Sequence, residues 1–192
     1  MFFAALAAAL TTTAAALQME QQMLAGKMIR LHVVANSNSQ KDQAIKLRVR
    51  DAVLDITEDM NEAQLRKSLP QIRAAARNCL RTLGNSCTVD VTLQQERFPT
   101  RVYETFSLPA GVYTALRITI GNGAGENWWC VAFPSICFWA TAEDLSMAAA
   151  AAGFTKDEID LICGTEDYIL KFKLMELLDQ LKIRLFDSEK IF

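Results

Sequence analysis

The spacing of apolar residues changes character twice along this chain, and that change limits the fold more than any other feature. Ile45, Val49, Ala52, Val53 and Ile56 recur at three and four residues, as do Ile72, Ala76, Cys79, Leu80 and Leu83, which is the spacing of one buried helix face. From Cys87 the interval drops to two: Cys87, Val89, Val91 and Leu93 alternate with Thr88, Asp90 and Thr92, as in a half-buried strand. Phe98–Phe106 reads as a second extended segment and Val112–Ile120 as a third, separated by a Leu108-Pro109-Ala110-Gly111 turn. Helical spacing then returns. Met147–Ala152 forms a short helix stopped by Gly153, Thr155 with Glu158 opens another, and Ile169, Leu174, Leu177, Leu178, Leu181 and Leu185 line a longer last one. Helices and strands gathered in separate blocks predict an α+β fold, not a doubly wound one. The expected architecture is a mixed or antiparallel sheet of about four strands, with the middle three as a meander, packed on helices from the N-terminal half and on a C-terminal helix.

The first block has clear boundaries. Ile29, Leu31, Val33 and Val34 form a short β-branched run ended by Asn36-Ser37-Asn38-Ser39, a strand and a turn. Ser39 followed by Asp42 resembles a capping box and predicts an amphipathic helix over Gln40–Thr57, with Lys41, Lys46, Arg48, Arg50, Asp51 and Asp55 on its solvated side. A second helical region begins near Asn61. Pro70 lacks the N–H a helix interior needs, so a break is expected there, with Ser68 and Gln71 restarting the pattern.

A length of 192 residues, 51% hydrophobic, suits one ordinary core. Twenty basic residues against 22 acidic ones give no field that would favour nucleic acid. The five cysteines and single histidine follow no metal-ligand spacing, and neither metal nor cofactor is expected. Met1 to Met19 carries no charge and Phe2 to Leu17 is almost wholly Ala, Leu, Phe and Thr, the character of an export segment. Ala14-Ala15-Ala16 offers the small residues of a cleavage site, although no Lys or Arg precedes the apolar run. Residues 1–26 are therefore expected to be a signal peptide or membrane anchor, apolar enough also for transient membrane contact, and residues 27–192 a single globular domain.

Gly121-Asn122-Gly123-Ala124-Gly125 follows a strand but lacks the Gly-Lys-Ser/Thr of a phosphate loop, and Asn127-Trp128-Trp129-Cys130 leads within a few residues to Pro134. The glycines are read as backbone passing closely under the tryptophans. Cys130 and Cys137 bracket six residues. A chain folding back symmetrically about Phe133-Pro134 brings them opposite one another, within disulfide range. A tight return requires a cis bond before Pro134, and a looser one does not. A bridge closing this ring would contribute about 2.5 kcal/mol. In an exported protein it would persist, and the alternative is two buried free thiols.

Two blocks resemble the stage II sporulation protein R family. The first runs from Ile29-Arg30-Leu31-His32-Val33-Val34-Ala35-Asn36-Ser37-Asn38-Ser39 through Asp42-Gln43-Ala44-Ile45-Lys46-Leu47-Arg48-Val49-Arg50-Asp51-Ala52-Val53-Leu54. The second includes Phe98-Pro99-Thr100-Arg101-Val102-Tyr103, Leu108-Pro109-Ala110-Gly111-Val112-Tyr113 and Gly123-Ala124-Gly125-Glu126-Asn127-Trp128-Trp129-Cys130, continuing to Cys137-Phe138. The resemblance implies a protein made in the forespore and exported into the intermembrane space. There it would activate a mother-cell membrane-bound aspartic protease that cleaves the precursor of sigma-E. On that reading the chain is not an enzyme, and Asn127, Trp128 and Trp129 on a loop, flanked by Arg101 and Arg117, would meet the protease ectodomain, since Trp and Arg dominate interface hot spots. Adjacent tryptophans in a strand point to opposite faces, so one of the pair could equally be core. The competing reading is a thiol hydrolase in which His32 activates Cys130.

Overall fold

The computed structural model describes residues 18–58, 60–134 and 142–163. β1 (Ile29–Val34) is buried along its whole length. Ser39 ends the turn that follows it and caps α2 (Gln40–Thr57), its hydroxyl accepting from the Asp42 amide at 3.1 Å. Only half of a capping box forms. The Asp42 carboxylate does not return to Ser39; it accepts from Ser37 Oγ at 2.6 Å and Asn36 Nδ2 at 2.9 Å. These bonds hold its pKa below the ordinary value of 3.8, the Ser37 contribution being the larger.

α3 (Glu62–Thr82) opens with a complete capping box between Asn61 and Gln64 and runs unbroken through Pro70. The expected break is absent. Proline removes one backbone bond, but Pro70 is exposed, and Leu65, Ile72, Ala76 and Leu80 form one buried stripe across it. Packing on both sides of the proline therefore outweighs the loss of that bond. Gly84, at φ 63°, closes the helix: its amide reaches Arg81 O and the Asn85 amide reaches Leu80 O, the paired bonds of a Schellman stop.

The strands are β2 (Val89–Phe98), β3 (Arg101–Val102), β4 (Ser107–Leu108), β5 (Gly111–Ile120) and β6 (Asn127–Phe133). The expected Phe98–Phe106 strand does not form as one element: Phe98 ends β2, and within the rest of that span only β3 is a strand, paired antiparallel with β4, with Tyr103 stacked on Phe106 at 4.3 Å. Nor is the main sheet a meander. Its order is β2-β5-β1-β6, with β1 parallel to β5 and antiparallel to β6. The sheet is mixed, four-stranded and covered by helices, and the fold is α+β.

The chain divides into two compact units. In the one holding β1, α2, α3, β6 and most of β2 and β5, α2 and α3 cover one sheet face. Leu31, Val33, Leu116, Ile118, Val89 and Val91 share an apolar core with Ile45, Val49, Val53, Leu65, Ile72 and Leu80. The opposite face presents the intervening residues, Arg30 and His32 among them. The other unit contains the helical residues 18–26 (α1), the β3–β4 ribbon, α4 (Ala142–Ala151) and α5 (Lys156–Cys163). Here Thr155 and Glu158 form the expected capping box, and Lys27 Nζ bonds Glu158 Oε2 at 2.6 Å and Gly153 O at 3.0 Å. No described helix is long and apolar enough to cross a membrane. The apolar residues 1–17 and the last predicted helix lie outside the described residues.

Two outcomes follow from this packing. Pro70→Ala restores the missing backbone bond in a helix already continuous, and should raise unfolding free energy by about 2 kcal/mol in urea titration; a helix broken at this point would gain nothing. Because the native Asp42 pKa is depressed, its stabilising contribution is complete above the ordinary carboxylate value and is lost as pH falls through the lower native one. The stability difference between the wild type and Asp42→Asn should therefore narrow as denaturation is followed below about pH 4.

Candidate functional site

The turn after β1 and the Gly-rich turn after β5 are bonded into one clasp. All six amides from Gly121 to Glu126 donate inside the chain: Gly121 to Thr88 O, Asn122 to Asn36 Oδ1, Gly123 to Ile120 O, Ala124 to Asn36 O, Gly125 to Ala35 O and Glu126 to Asn38 Oδ1. With every amide so engaged, none is left to cradle a phosphate. The glycines are needed for closeness. Gly121 sits at φ 55°, where a Cβ would strike the Asn36 side chain, and a Cβ on Gly125 would meet the Ser37 carbonyl. From α2, buried Lys46 reaches across to the Glu126 carbonyl at 3.0 Å and to Gln43 Oε1 at 2.6 Å. Burial lowers its pKa below that of an ordinary lysine.

This clasp delivers the chain directly into β6, so Asn127, Trp128 and Trp129 lie on a strand rather than a loop. Alternation separates the indoles, as a strand requires. Trp128, opposite Val33, turns toward the helices, where it packs on the core and carries the Arg50 guanidinium 4.6 Å from its ring centre. Arg50 is itself held by Asp51, at 2.6 Å. Trp129 lies opposite His32 on the other face, the two ring centres 5.5 Å apart. Both tryptophans remain partly exposed and Asn127 is exposed.

His32 ties this face together. Its Nε2 meets Asn127 Oδ1 at 2.9 Å and its Nδ1 meets Glu96 Oε1 at 2.7 Å, while Arg117 Nη1 donates to the same Glu96 oxygen at 2.7 Å. Strands β2, β5, β1 and β6 thus each place a side chain in one polar cluster. Arg30, also on this face and fully buried, donates to the Cys130 carbonyl at 3.1 Å and lies over the Tyr113 ring. Of the residues expected at the site, Asn127, Trp129 and Arg117 meet around His32, Trp128 stands on the reverse face, and Arg101 belongs to β3 in the other unit. Glu96 and Arg50 were absent from the expectation. The polar Gln94-Gln95-Glu96-Arg97 stretch hinted at a solvated face, but nothing local reveals a carboxylate shared by a histidine and an arginine from other strands.

The proposed thiol pair is not assembled. Cys130 lies opposite Leu31 and His32 opposite Trp129, so sulfur and imidazole occupy opposite faces of the sheet. Cys79, Cys87 and Cys163 are free thiols, whereas Cys130 is buried and is not among them. Cys137 lies outside the described residues. The Phe133–Pro134 peptide is cis. Among the described residues no three His, Cys, Asp or Glu side chains gather as a metal site.

Comparison with known proteins gives this arrangement its context. A match to the family described as stage II sporulation protein R extends over residues 25–143, from before β1 to beyond β6. Stage II sporulation protein R of Bacillus subtilis (strain 168) is 42% identical over 120 residues, covering 57% of this chain and 53% of that protein. The chain thus spans about half the length of this curated relative, and no solved structure matches. With the family match taking in the whole sheet, the clasp and the tryptophan strand, the chain belongs to the stage II sporulation protein R family.

Proposed function

We propose that this chain is an exported sporulation signal that binds the ectodomain of a membrane-embedded aspartic protease across the septum and activates it, leading to processing of pro-sigma-E. Family membership supports the sporulation role, and one geometric observation supports action by contact. The Asn127–Trp129 segment is partly exposed, yet it is braced from both sides: Lys46 on the Glu126 carbonyl, Arg50 over Trp128, and His32 on Asn127 and Trp129. A segment ordered before it binds loses little entropy on docking, and paired aromatic and guanidinium groups are efficient contact surface. Asn127, Trp128 and Trp129 are the contact residues in this reading, with Arg117 beside them and Arg101 as a further contact from the β3–β4 ribbon.

Export fits the sulfur chemistry. We assign the bond at Cys130 to Cys137, an inference supported by its absence from the free thiols and by the short spacing. An oxidising space between membranes preserves such a bond. The uncharged segment before Gln18 serves as the export signal or anchor, and the working protein acts outside the compartment that made it.

Two measurements test these claims. The protease and its sigma precursor are produced in a host that does not sporulate, and this chain is supplied outside the membrane. The wild type should trigger cleavage, and Asn127→Ala, Trp128→Ala and Trp129→Ala should each reduce it by about tenfold or more, with melting curves separating lost contact from lost fold. Absence of cleavage above the control would remove the signalling role. Mass spectrometry of the unreduced, exported protein should show one peptide pair joined through Cys130 and Cys137, while Cys79, Cys87 and Cys163 take up an alkylating reagent on unfolding. A Cys130 that alkylates would refute the bridge.

A further inference from the structure

α3 carries five basic residues, Arg66, Lys67, Arg73, Arg77 and Arg81, and a single acidic one, Glu62, in a chain whose formal net charge is -2. At 3.6 residues per turn, Arg66, Arg73, Arg77 and Arg81 fall on one side of the helix, next to the buried stripe of Leu65, Ile72, Ala76 and Leu80, and form a ridge about 22 Å long. Arg66, Lys67, Arg77 and Arg81 are exposed and Arg73 is half-buried. Only two of the five are neutralised: Arg66 by Glu62 at 2.7 Å and Arg73 by Asp90 at 3.1 Å. Lys67, Arg77 and Arg81 have no ion-pair partner among the described residues. Arg73, Arg77 and Arg81 stand four residues apart, where like charges weaken a free helix. The helix dipole accounts for a cation in the last turn, Arg81, but not for the two before it. Arg73 also reaches Val91 O at 3.0 Å, so the ridge is tied to β2, one edge of the sheet, whereas β6 is the other edge. Three strand spacings, about 14 Å, separate those edges.

We propose that the Arg66–Arg81 ridge of α3 docks on a bilayer surface of anionic phospholipid, its cations engaging the headgroup phosphates. The composition of the ridge decides between occupants. A protein hot spot is built on aromatic and apolar anchors in a dry centre, with charge kept to the rim. The exposed residues among these arginines are Ala63, Pro70 and Ala74, which offer no such anchor. A row of cations on one continuous helix suits a plane of fixed negative charge instead, because that plane needs no matching pocket and attracts each cation separately. The guanidinium fork also matches the geometry of phosphate oxygens. This surface is distinct from the Asn127–Trp129 segment and does not depend on what that segment binds. Together they give the unit two working edges, β2 with α3 held to lipid and β6 open to a protein.

The test mixes the full chain with vesicles of phosphatidylcholine alone, or of phosphatidylcholine with roughly 30% phosphatidylglycerol, and measures bound protein by sedimentation. Neutral vesicles register whatever the uncharged residues before Gln18 contribute, and the excess on anionic vesicles registers the ridge. Each cation at an anionic surface is worth about fivefold in binding, so Lys67→Gln, Arg77→Gln and Arg81→Gln together should lower the excess by at least about tenfold. Lys41→Gln, Arg48→Gln and Lys156→Gln together remove the same charge from exposed positions elsewhere and should cost less than about twofold. Arg77→Lys with Arg81→Lys keeps the charge and should bind as the wild type does, which separates lost charge from lost fold. Raising the ionic strength from about 0.05 M to about 0.5 M should abolish most of the excess. No excess on anionic vesicles, or equal loss in the two triple variants, would overturn the inference. So would a ridge variant that binds vesicles like the wild type but no longer binds the detached protease ectodomain, since an acidic protein face would then be the occupant.

Discussion

β1 has a strand on each side and side chains buried on both faces, and that enclosure governs the rest of the unit built around it. Its odd-numbered residues, Ile29, Leu31 and Val33, enter the core beneath α2 and α3. Its even-numbered residues include a fully buried arginine and a nearly buried histidine. Charged and polar groups in such a position are costly unless their hydrogen bonds are met. Glu96, Asn127 and the Cys130 carbonyl meet several of them. Those acceptors come from β2 and β6, the two outer strands, so satisfying the central strand fixes how the outer ones must lie.

Local signals and long-range ones were unequally legible. The β1 strand, the Ser39 cap, the Asn61 start and the Gly84 stop could be read because each depends on residues within a few positions of one another. The strand order could not. Pairing of β1 with both β5 and β6 is decided by which faces can be buried together, and a residue-by-residue reading favours neighbouring strands instead. Pro70 misled for a related reason: its local penalty is real, but the stripe from Leu65 to Leu80 is long enough to override it. β6 resembled a loop because glycines precede it and a proline follows, although Trp-Trp-Cys-Val-Ala-Phe has the bulk that suits a pleated strand.

At the site, the same division holds. Asn127, Trp128 and Trp129 stood out by residue type, and alternation correctly warned that the indoles would part company. What the chain order conceals is their bracing. Arg50 looked like one more charge on a solvated helix face until its place over Trp128 showed it to be part of the packing. Glu96 has no distinguishing neighbour in sequence, yet it binds both His32 and Arg117.

The Gly-rich clasp explains why so much depends on a turn that performs no chemistry of its own. A strand shifted by one residue exchanges its two faces. In β6 that slip would carry Trp129 toward the helices and Trp128 toward His32, and it would remove Asn127 from the imidazole. The bonds from Asn122, Ala124, Gly125 and Glu126 to Asn36, Ala35 and Asn38 set the entry point of β6 relative to the end of β1. Lys46 fixes the same point from the helix layer. Two segments more than eighty residues apart in sequence are thereby held in one register. That register places one indole under Arg50 and the other against His32, with Asn127 at the rim.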